Sequence, residues 1–420
     1  NFTNNANNAV RTGAGTTITQ GVGHTFEGAF TLLNNNGSFV NNGTINSTLS
    51  GQVTIDPEDA GTFTNNGTMN ATGTGGFRFN EATYNNNTQI DIGNGSRLDV
   101  KQDAKIIGGV INTTGTGVVN VDGSTGLGAQ FENVTVNGNL RQNNSEDGTV
   151  TGTFNLDGTW EMNSIGTATV LNVNGGVTLD GNGTIDMSNN TQNRIVSDGA
   201  DITIGNNFTI VGAGQLGLNN SGLINNGTIQ NDQANSLTID PSAGGTGFVN
   251  NGTLEVLGSG DINIGNGDTQ NNGTVNVTGT GRLDIGTGTF TNTGQTVTLA
   301  NGGDLEVSQG TVFEGGTIQS NTAGSEVRVE GTSGAGSTFS NVQINSDLVQ
   351  NNSFDATVTG TTDVNGDWAL NSIGTATVVN LNDGATLNGN GKFIGSNNTQ
   401  NRIVTNLSLI HISEPTRRIT

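Results

Sequence analysis

The 420-residue sequence has no cysteine, only three prolines, 5% aromatic residues and 11% charged residues. Without cysteine the chain can form neither a disulfide framework nor a thiolate metal site, and such chains are common among exported bacterial proteins. No apolar run approaches the roughly 20 residues needed to cross a bilayer, so no membrane span is expected. Acidic residues outnumber basic ones by 35 to 13, and the resulting net charge of −22 argues against nucleic acid as a partner.

Glycine is abundant instead, with 68 residues, and it separates short runs in which apolar and polar residues alternate. Examples of these runs are QVTID, QIDIG, RLDV and TVNVT. Alternation with a period of two indicates β-strands with one buried face. The Asn-Gly and Gly-Asn pairs between the runs provide the positive-φ positions of tight turns. Apolar residues almost never recur with the helical period, so the sequence predicts an all-β protein.

A loose pattern, apolar-x-x-x-Gly-Thr-apolar, recurs along the chain. From residue 223, successive copies begin 25, 21, 21, 23 and 26 residues apart. A repeat of about 23 residues with short strands and turns predicts one coil of a single-stranded, right-handed parallel β-helix. We expect 17 or 18 coils between about residue 15 and residue 404, which makes a rod of roughly 80 Å. Asparagines should stack at the corners, and six phenylalanines should face inward: Phe39, Phe63, Phe154, Phe248, Phe290 and Phe339.

The chain also contains an internal duplication. The segment NSIGTATVLN at Asn163 returns as NSIGTATVVN at Asn371, an offset of 208 residues, whereas SFVNNGTI and GLINNGTI are offset by 184. The two offsets differ by about one repeat. A stacked solenoid tolerates the gain of one unit, which a globular core or a β-sandwich does not. We therefore divide the β-helix into two related halves, residues 1–198 and 199–406.

Residues 407–420 break the repeat, since histidine, proline, glutamate and two arginines appear and glycine vanishes. The segment LSLIHISEPTR, from Leu407 to Arg417, resembles a translated sequencing adapter. We expect this tail to be non-native, with Ile410 and Ile412 outside any coil, and the gene to have been cut at the end of a sequenced fragment. A natural polar extension is the alternative.

The NNGT-type coils of residues 1–406 resemble, in repeat style, secreted bacterial β-helix proteins such as autotransporter passenger domains and filamentous-haemagglutinin-like adhesins. The resemblance implies an extracellular or cell-surface protein that acts as an adhesin or a stalk. Its partners would be glycans or surface proteins of a host cell or biofilm. The alternative is a β-helix carbohydrate-active enzyme, because polysaccharide lyases and hydrolases share this fold.

Such enzymes need acidic groups clustered with a cation or a histidine on adjacent coils. Most carboxylates in this sequence occur singly, as Asp56 and Asp240 do in two TIDP segments, and His24 is expected on the surface. Outside the tail the only amines of lysine side chains are those of Lys101, Lys105 and Lys392. We therefore assign no catalytic residue and expect no enzyme activity.

Three further features have two interpretations. The acidic pairs Glu58-Asp59 and Glu146-Asp147 could bind calcium, but no GGxGxDx ladder accompanies them and solvated loop charges are the favoured interpretation. Trp160 and Trp368, equivalent across the 208-residue offset, would suggest sugar stacking if exposed, but their position in the apolar pattern favours the core. We assign no metal site and no cofactor.

Overall fold

The computed structural model describes residues 1–58, 60–124, 126–242, 246–331, 336–382 and 384–406. These residues form a β-solenoid of about 18 turns with about 22 residues per turn, and no helix occurs among them. Every strand pair is parallel, so each strand is hydrogen-bonded to its equivalents in the coils before and after it. The all-β, parallel β-helix prediction is confirmed. The predicted tail, residues 407–420, lies outside the described residues.

Each coil contributes one strand to each of three faces, here called A, B and C. Face A is a separate 18-stranded sheet, whereas faces B and C form one sheet of 34 strands. They are joined because β17 and β19 bend around the corner and belong to both faces. The chain follows the order A, B, C in every coil.

Face A consists of β1 (Asn4–Val10), β4 (Ala29–Leu32), β7 (Val53–Ile55), β10 (Phe77–Phe79), β13 (Arg97–Val100), β16 (Val118–Val121), β18 (Leu140–Asn143), β20 (Thr159–Asn163), β23 (Thr184–Met187), β26 (Thr209–Gly212), β29 (Thr228–Asn231), β32 (Thr253–Val256), β35 (Thr274–Val277), β38 (Thr296–Leu299), β41 (Thr317–Ser320), β44 (Gln343–Asn345), β47 (Thr361–Val364) and β50 (Thr386–Asn388).

Face B consists of β2 (Thr17–Gln20), β5 (Ser38–Asn41), β8 (Thr62–Asn65), β11 (Thr83–Asn86), β14 (Lys105–Ile107), the first parts of β17 (Ala129–Asn137) and β19 (Asp147–Leu156), β21 (Thr169–Val173), β24 (Asn193–Val196), β27 (Gly214–Leu216), β30 (Leu237–Ile239), β33 (Ile262–Ile264), β36 (Arg282–Ile285), β39 (Asp304–Val307), β42 (Glu326–Val329), β45 (Asp347–Asn351), β48 (Trp368–Asn371) and β51 (Phe393–Gly395).

Face C consists of β3 (Thr25–Glu27), β6 (Thr44–Ser47), β9 (Thr68–Ala71), β12 (Gln89–Ile92), β15 (Val110–Thr113), the second parts of β17 and β19, β22 (Thr178–Asp180), β25 (Ile202–Ile204), β28 (Leu223–Asn225), β31 (Phe248–Asn250), β34 (Thr269–Asn271), β37 (Gly288–Thr291), β40 (Thr311–Glu314), β43 (Ser337–Ser340), β46 (Asp355–Thr359), β49 (Thr377–Asn382) and β52 (Asn401–Asn406).

The core is a single column of apolar side chains inside the coils. Strands such as β7 and β8 alternate buried and half-buried residues because successive side chains point to opposite sides of a strand. The six phenylalanines predicted to face inward are all buried, as are Trp160 and Trp368, which confirms their assignment to the core. Parallel in-register pairing puts equivalent rings in contact, as for Phe39 and Phe63, whose centroids are 5.9 Å apart.

The predicted start near residue 15 is wrong, because β1 already pairs with β4 from Asn4 onward. The sequence of β1, NNANNAV, has almost no large apolar residue, so the alternation of apolar and polar residues that indicates a strand is missing there. The last described strand, β52, ends at Asn406, two residues beyond the predicted end.

The two asparagines of the recurring Asn-Asn-Gly-Thr corner form two separate ladders of hydrogen bonds along the rod. The first asparagine is buried and forms an inner ladder, in which Asn225 Nδ2 donates to Asn250 Oδ1 (2.8 Å) and Asn250 Nδ2 donates to Asn271 Oδ1 (2.8 Å). The second asparagine forms an outer, exposed ladder, in which Asn251 Nδ2 donates to Asn226 Oδ1 (2.9 Å). A buried amide needs both its donor and its acceptor satisfied, which stacking identical residues achieves. The predicted corner stacks of asparagine are therefore present.

Replacing Asn250 with alanine is expected to lower the free energy of unfolding by about 1–3 kcal/mol, because it removes the two hydrogen bonds that join Asn250 to Asn225 and Asn271 in the buried ladder. The matched control is Asn251→Ala on the exposed ladder, whose effect should stay within about 0.5 kcal/mol. Urea unfolding followed by tryptophan fluorescence measures both. Equal effects of the two variants would contradict the assignment of the inner ladder as the stabilising one.

The two sequence copies are displaced around the rod. Trp160 lies in β20 on face A, whereas its equivalent Trp368 lies in β48 on face B. Upstream, Asn41 lies on face B and its equivalent Asn225 on face C. Both pairs are displaced by one face in the same direction, so the difference between their offsets corresponds to one complete coil. The same segment is therefore compatible with different faces of the solenoid.

Candidate functional site

A groove of about 610 Å³ follows the corner between faces A and B in the first half of the chain. We call it the corner groove. It is lined by Asn35, Asp56, Arg78, Asn80, Glu81, Lys101, Gln102, Asp122, Gly123, Ser124 and Glu146. Acidic, basic and amide side chains are therefore interleaved along one edge of the rod.

The stacking of coils brings these residues together. Asp56, Lys101 and Asp122 each occupy the position directly after a face A strand, those of β7, β13 and β16. Equivalent positions in neighbouring coils lie one strand spacing apart, about 4.8 Å. Residues separated by roughly one coil length in the sequence thus become direct neighbours in the groove.

Lys101, Asp122 and Glu146 form a connected charge cluster at one end of the groove. Lys101 Nζ forms an ion pair with Asp122, and the Glu146 carboxyl group lies close enough to Asp122 and Lys101 to interact with both electrostatically. The backbone amide of Asn143 donates to Glu146 Oε2 (2.7 Å). Burial, together with the Asp122 charge, raises the pKa of Glu146 to about 7, while the Asn143 amide and Lys101 lower it. The cluster can therefore gain or lose a proton near neutral pH.

Arg78 is the second cation of the corner groove. It projects outward from β10 between Phe77 and Phe79, which are both buried. Its Nε atom is buried without a hydrogen-bond partner, and Arg78 has no ion pair within the described part of the chain. The neighbouring carboxylate in register, Asp99, is already bonded to Gln52, Arg97 and Asn120. The Arg78 guanidinium thus has no side-chain partner in the described part of the chain, and Arg78 lines the groove.

The second half of the chain has an equivalent groove at the corner between faces B and C. This second groove has a volume of about 370 Å³ and is lined by Asn266, Gly286, Thr287, Ser308, Gln309, Glu330, Gly331 and Phe354. The coil-by-coil correspondence pairs Lys101 with Ser308, Asp122 with Glu330 and Glu146 with Phe354. The second half of the chain therefore repeats the corner with different side chains in the groove.

The second groove contains far less charge than the first. Glu330 retains a carboxyl group, and burial raises the pKa of this group above its ordinary value. Ser308 Oγ donates to Asp284 Oδ1 (2.6 Å), and Asp284 occupies the position equivalent to that of Arg78. Phe354 is half-buried in the groove wall. No lysine or arginine lines this groove among the residues that the structure describes.

Two identical turns, defined here by residues 164–167 and 372–375, present exposed isoleucines. Ile165 and Ile373 are 82% and 83% exposed, and each backbone amide donates to an asparagine of the preceding coil at 2.8 Å, Asn144 or Asn352. Ser164 Oγ closes the first turn by donating to the Thr167 carbonyl (2.8 Å). The backbone of each turn is therefore fixed by hydrogen bonds, while its isoleucine side chain lies in solvent.

The other residues singled out from the sequence lie apart from one another. His24 is exposed, with its ring edge against Phe26, and Lys392 is exposed near the end of the described chain. Lys105 forms an ion pair with Glu132 (2.5 Å) on face B. Asp240, like Asp56, follows a strand at a corner, and burial raises its pKa.

The described residues of the two acidic pairs of the sequence, Glu58-Asp59 and Glu146-Asp147, lie in different surroundings in the structure. Asp59 lies outside the described residues, so the pair Glu58-Asp59 is described only by Glu58, whose Oε1 accepts a hydrogen bond from the Gly15 amide (2.9 Å). Glu146 belongs to the corner groove, and burial raises the pKa of Asp147. No group of three or more His, Cys, Asp or Glu side chains that could hold a metal ion occurs in the described ranges.

The corner groove was not predicted from the sequence, in which its carboxylates look scattered. A signal was present, because Lys101 and Asp122 are 21 residues apart and Asp122 and Glu146 are 24 apart, both close to one coil. Comparing charged residues at that period would have predicted the cluster. The lack of a side-chain partner for Arg78 among the described residues had no sequence signal, because it depends on which acceptors its neighbours occupy.

Comparisons with known proteins give no relative. No protein family, no curated protein and no solved structure matches this chain. In the described residues, no helix is long and apolar enough to cross a membrane.

Proposed function

We propose that this protein is a bacterial surface-displayed or secreted adhesin whose rod makes many weak contacts with glycans or surface proteins. The observation that carries the proposal is the uninterrupted stack of about 18 coils. At one strand spacing per coil it extends roughly 80 Å. Its outward positions are rich in asparagine and threonine, as in the exposed ladder of Asn226 and Asn251. Repeated weak contacts along such a rod add up to avidity.

Composition and repeat style support the location at the cell surface. The absence of cysteine is common in exported bacterial chains. A net charge of −22 is unfavourable for binding nucleic acid or anionic lipid. The resemblance to secreted β-helix adhesins points in the same direction.

The adhesin proposal predicts that valency determines binding. Beads coated with many copies of the chain should bind glycan-coated surfaces or cultured cells, whereas the single soluble chain should bind the same surfaces at least about 100-fold more weakly. Beads coated with the heat-unfolded chain serve as the control. An absence of binding at every valency would contradict adhesion and leave the stalk as the function of the rod.

A carbohydrate-active enzyme is the second candidate, favoured by Glu146, whose pKa is raised to about 7 by burial and which lines the groove with a second carboxyl group, that of Asp122. Glycosidases use a pair of carboxyl groups, one of which acts as a general acid with a raised pKa. Release of reducing sugar from polysaccharide, abolished by Glu146→Gln, would favour the enzyme over the adhesin.

A further inference from the structure

The corner groove is more than a structural feature of the corner. The second groove repeats the same backbone corner with serine at the position of Lys101 and phenylalanine at the position of Glu146. The solenoid therefore forms this corner without the charge cluster. Folding does not account for the cluster, and the burial of the Glu146 carboxyl group opposes its ionisation.

The interleaved donors and acceptors define the chemistry of a ligand. Arg78 and Lys101 can donate hydrogen bonds to a ligand, and the carboxyl groups of Asp122 and Glu146 can accept hydrogen bonds from it. A hydroxyl group can do both at once, accepting from the guanidinium and donating to a carboxylate. A sugar chain presents hydroxyl groups at regular intervals and can lie along a groove whose side chains are spaced by about 4.8 Å.

Charge discriminates among the ligands that carry hydroxyl groups. Four carboxyl groups and two cations line the groove, and the whole chain carries a net charge of −22. An acidic polymer would be repelled by this field. A polycation would be attracted by the carboxyl groups, but it would be repelled by Arg78 and Lys101 in the same groove and would offer neither of them a hydrogen-bond acceptor. A neutral sugar avoids both penalties.

We propose that the corner groove binds a neutral oligosaccharide, with Arg78 donating to one hydroxyl group and the Asp122 and Glu146 carboxyl groups accepting from others. This inference rests on the proposed adhesin function, because it locates a glycan site on the adhesive rod. The site belongs to the first half of the chain alone, since the second groove has Asp284 in place of Arg78.

The test titrates the full chain with cellotetraose, xylotetraose, mannotetraose and chitotetraose, using calorimetry for affinity and carbon-labelled glutamate in NMR for location. At least one neutral tetraose is expected to bind and to shift the carboxyl resonance of Glu146. Arg78→Gln, Glu146→Gln and Glu146→Phe should each weaken binding about tenfold or more, because each removes a charge-assisted hydrogen bond.

Two features of the chain provide matched controls. Phenylalanine already occupies the position equivalent to Glu146 in the second groove, so Glu146→Phe is expected to preserve the corner, which circular dichroism checks. Lys105→Gln removes a lysine that forms an ion pair on face B outside the groove, and it should leave the affinity unchanged.

Three results would overturn the inference. They are the absence of binding by any of the four tetraoses, binding of trigalacturonate or spermine in their place, and unchanged affinity in the three groove variants. Adhesion of coated beads that persists in the groove variants would reject the groove and leave the adhesin intact. Binding of a tetraose without adhesion of beads would reject the adhesin and leave the groove intact.

Discussion

Replacing Trp160 with alanine is expected to lower the free energy of unfolding by about 3–5 kcal/mol. Trp160 is fully buried, and its Nε1 donates to Gln142 Oε1 (3.2 Å). The substitution leaves a cavity between Phe131 and Phe154 and removes the donor to a buried amide oxygen. Both consequences destabilise the same coils.

The duplication provides a second probe for this measurement. Trp368 is equally buried and donates to Gln350 Oε1 (3.2 Å), so in Trp160→Ala it remains as the single tryptophan and reports unfolding of the distant coils. Guanidinium unfolding should show a lowered midpoint in Trp160→Ala and in the reverse variant Trp368→Ala. Ile165→Ala, at an exposed position, should change stability by less than about 0.5 kcal/mol. A loss below about 1 kcal/mol in both tryptophan variants would contradict the packed core.

Adding a single methyl group at Gly252 is expected to destabilise the rod by about 3 kcal/mol. A Cβ atom at Gly252 would lie 2.1 Å from the Gly227 carbonyl oxygen of the preceding coil. That oxygen belongs to backbone, and it accepts a hydrogen bond from the Thr253 amide (2.8 Å), so it cannot move without breaking the stack. The methyl group must therefore separate two coils.

Gly21→Ala is the matched control, because a Cβ atom at Gly21 has no neighbour within 4 Å and no positive φ angle strains it. Its expected effect is within about 0.5 kcal/mol. Hydrogen exchange localises the damage, since the Gly252 amide donates to the Asn225 carbonyl (3.0 Å) and should lose protection in Gly252→Ala. Equal stability of the two variants would show that the coils tolerate a side chain at this corner.

The coil could be predicted from the sequence because its physical causes are local. Alternating runs such as that of β8 specify an inward and an outward side, and Asn-Gly corners specify where the strand ends. The repeat length then follows from counting between corners. The strand β1 could not be found in this way, because its position depends on pairing with β4 rather than on its own apolar residues.

The corner groove was only partly predictable. The proximity of Lys101 and Asp122 follows from the coil period, but the raised pKa of Glu146 depends on how deeply the turn before β19 is buried. Sequence also gave no indication that Trp160 and Trp368 lie on different faces. All three faces require the same alternation of apolar and polar residues, so the pattern does not distinguish them.

The displacement of the two copies by one face has a consequence for how such chains grow. If each duplicated segment had to return to its original face, recombination would need breakpoints separated by whole coils. Because Trp160 is accommodated on face A and Trp368 on face B, the breakpoints need not be separated by a whole number of coils. A duplication displaced by one face also places its surface features on another side of the rod. The turn at Ile165 lies at the corner between faces A and B, and the turn at Ile373 lies at the corner between faces B and C. One rod thus presents the same exposed turn on two of its sides.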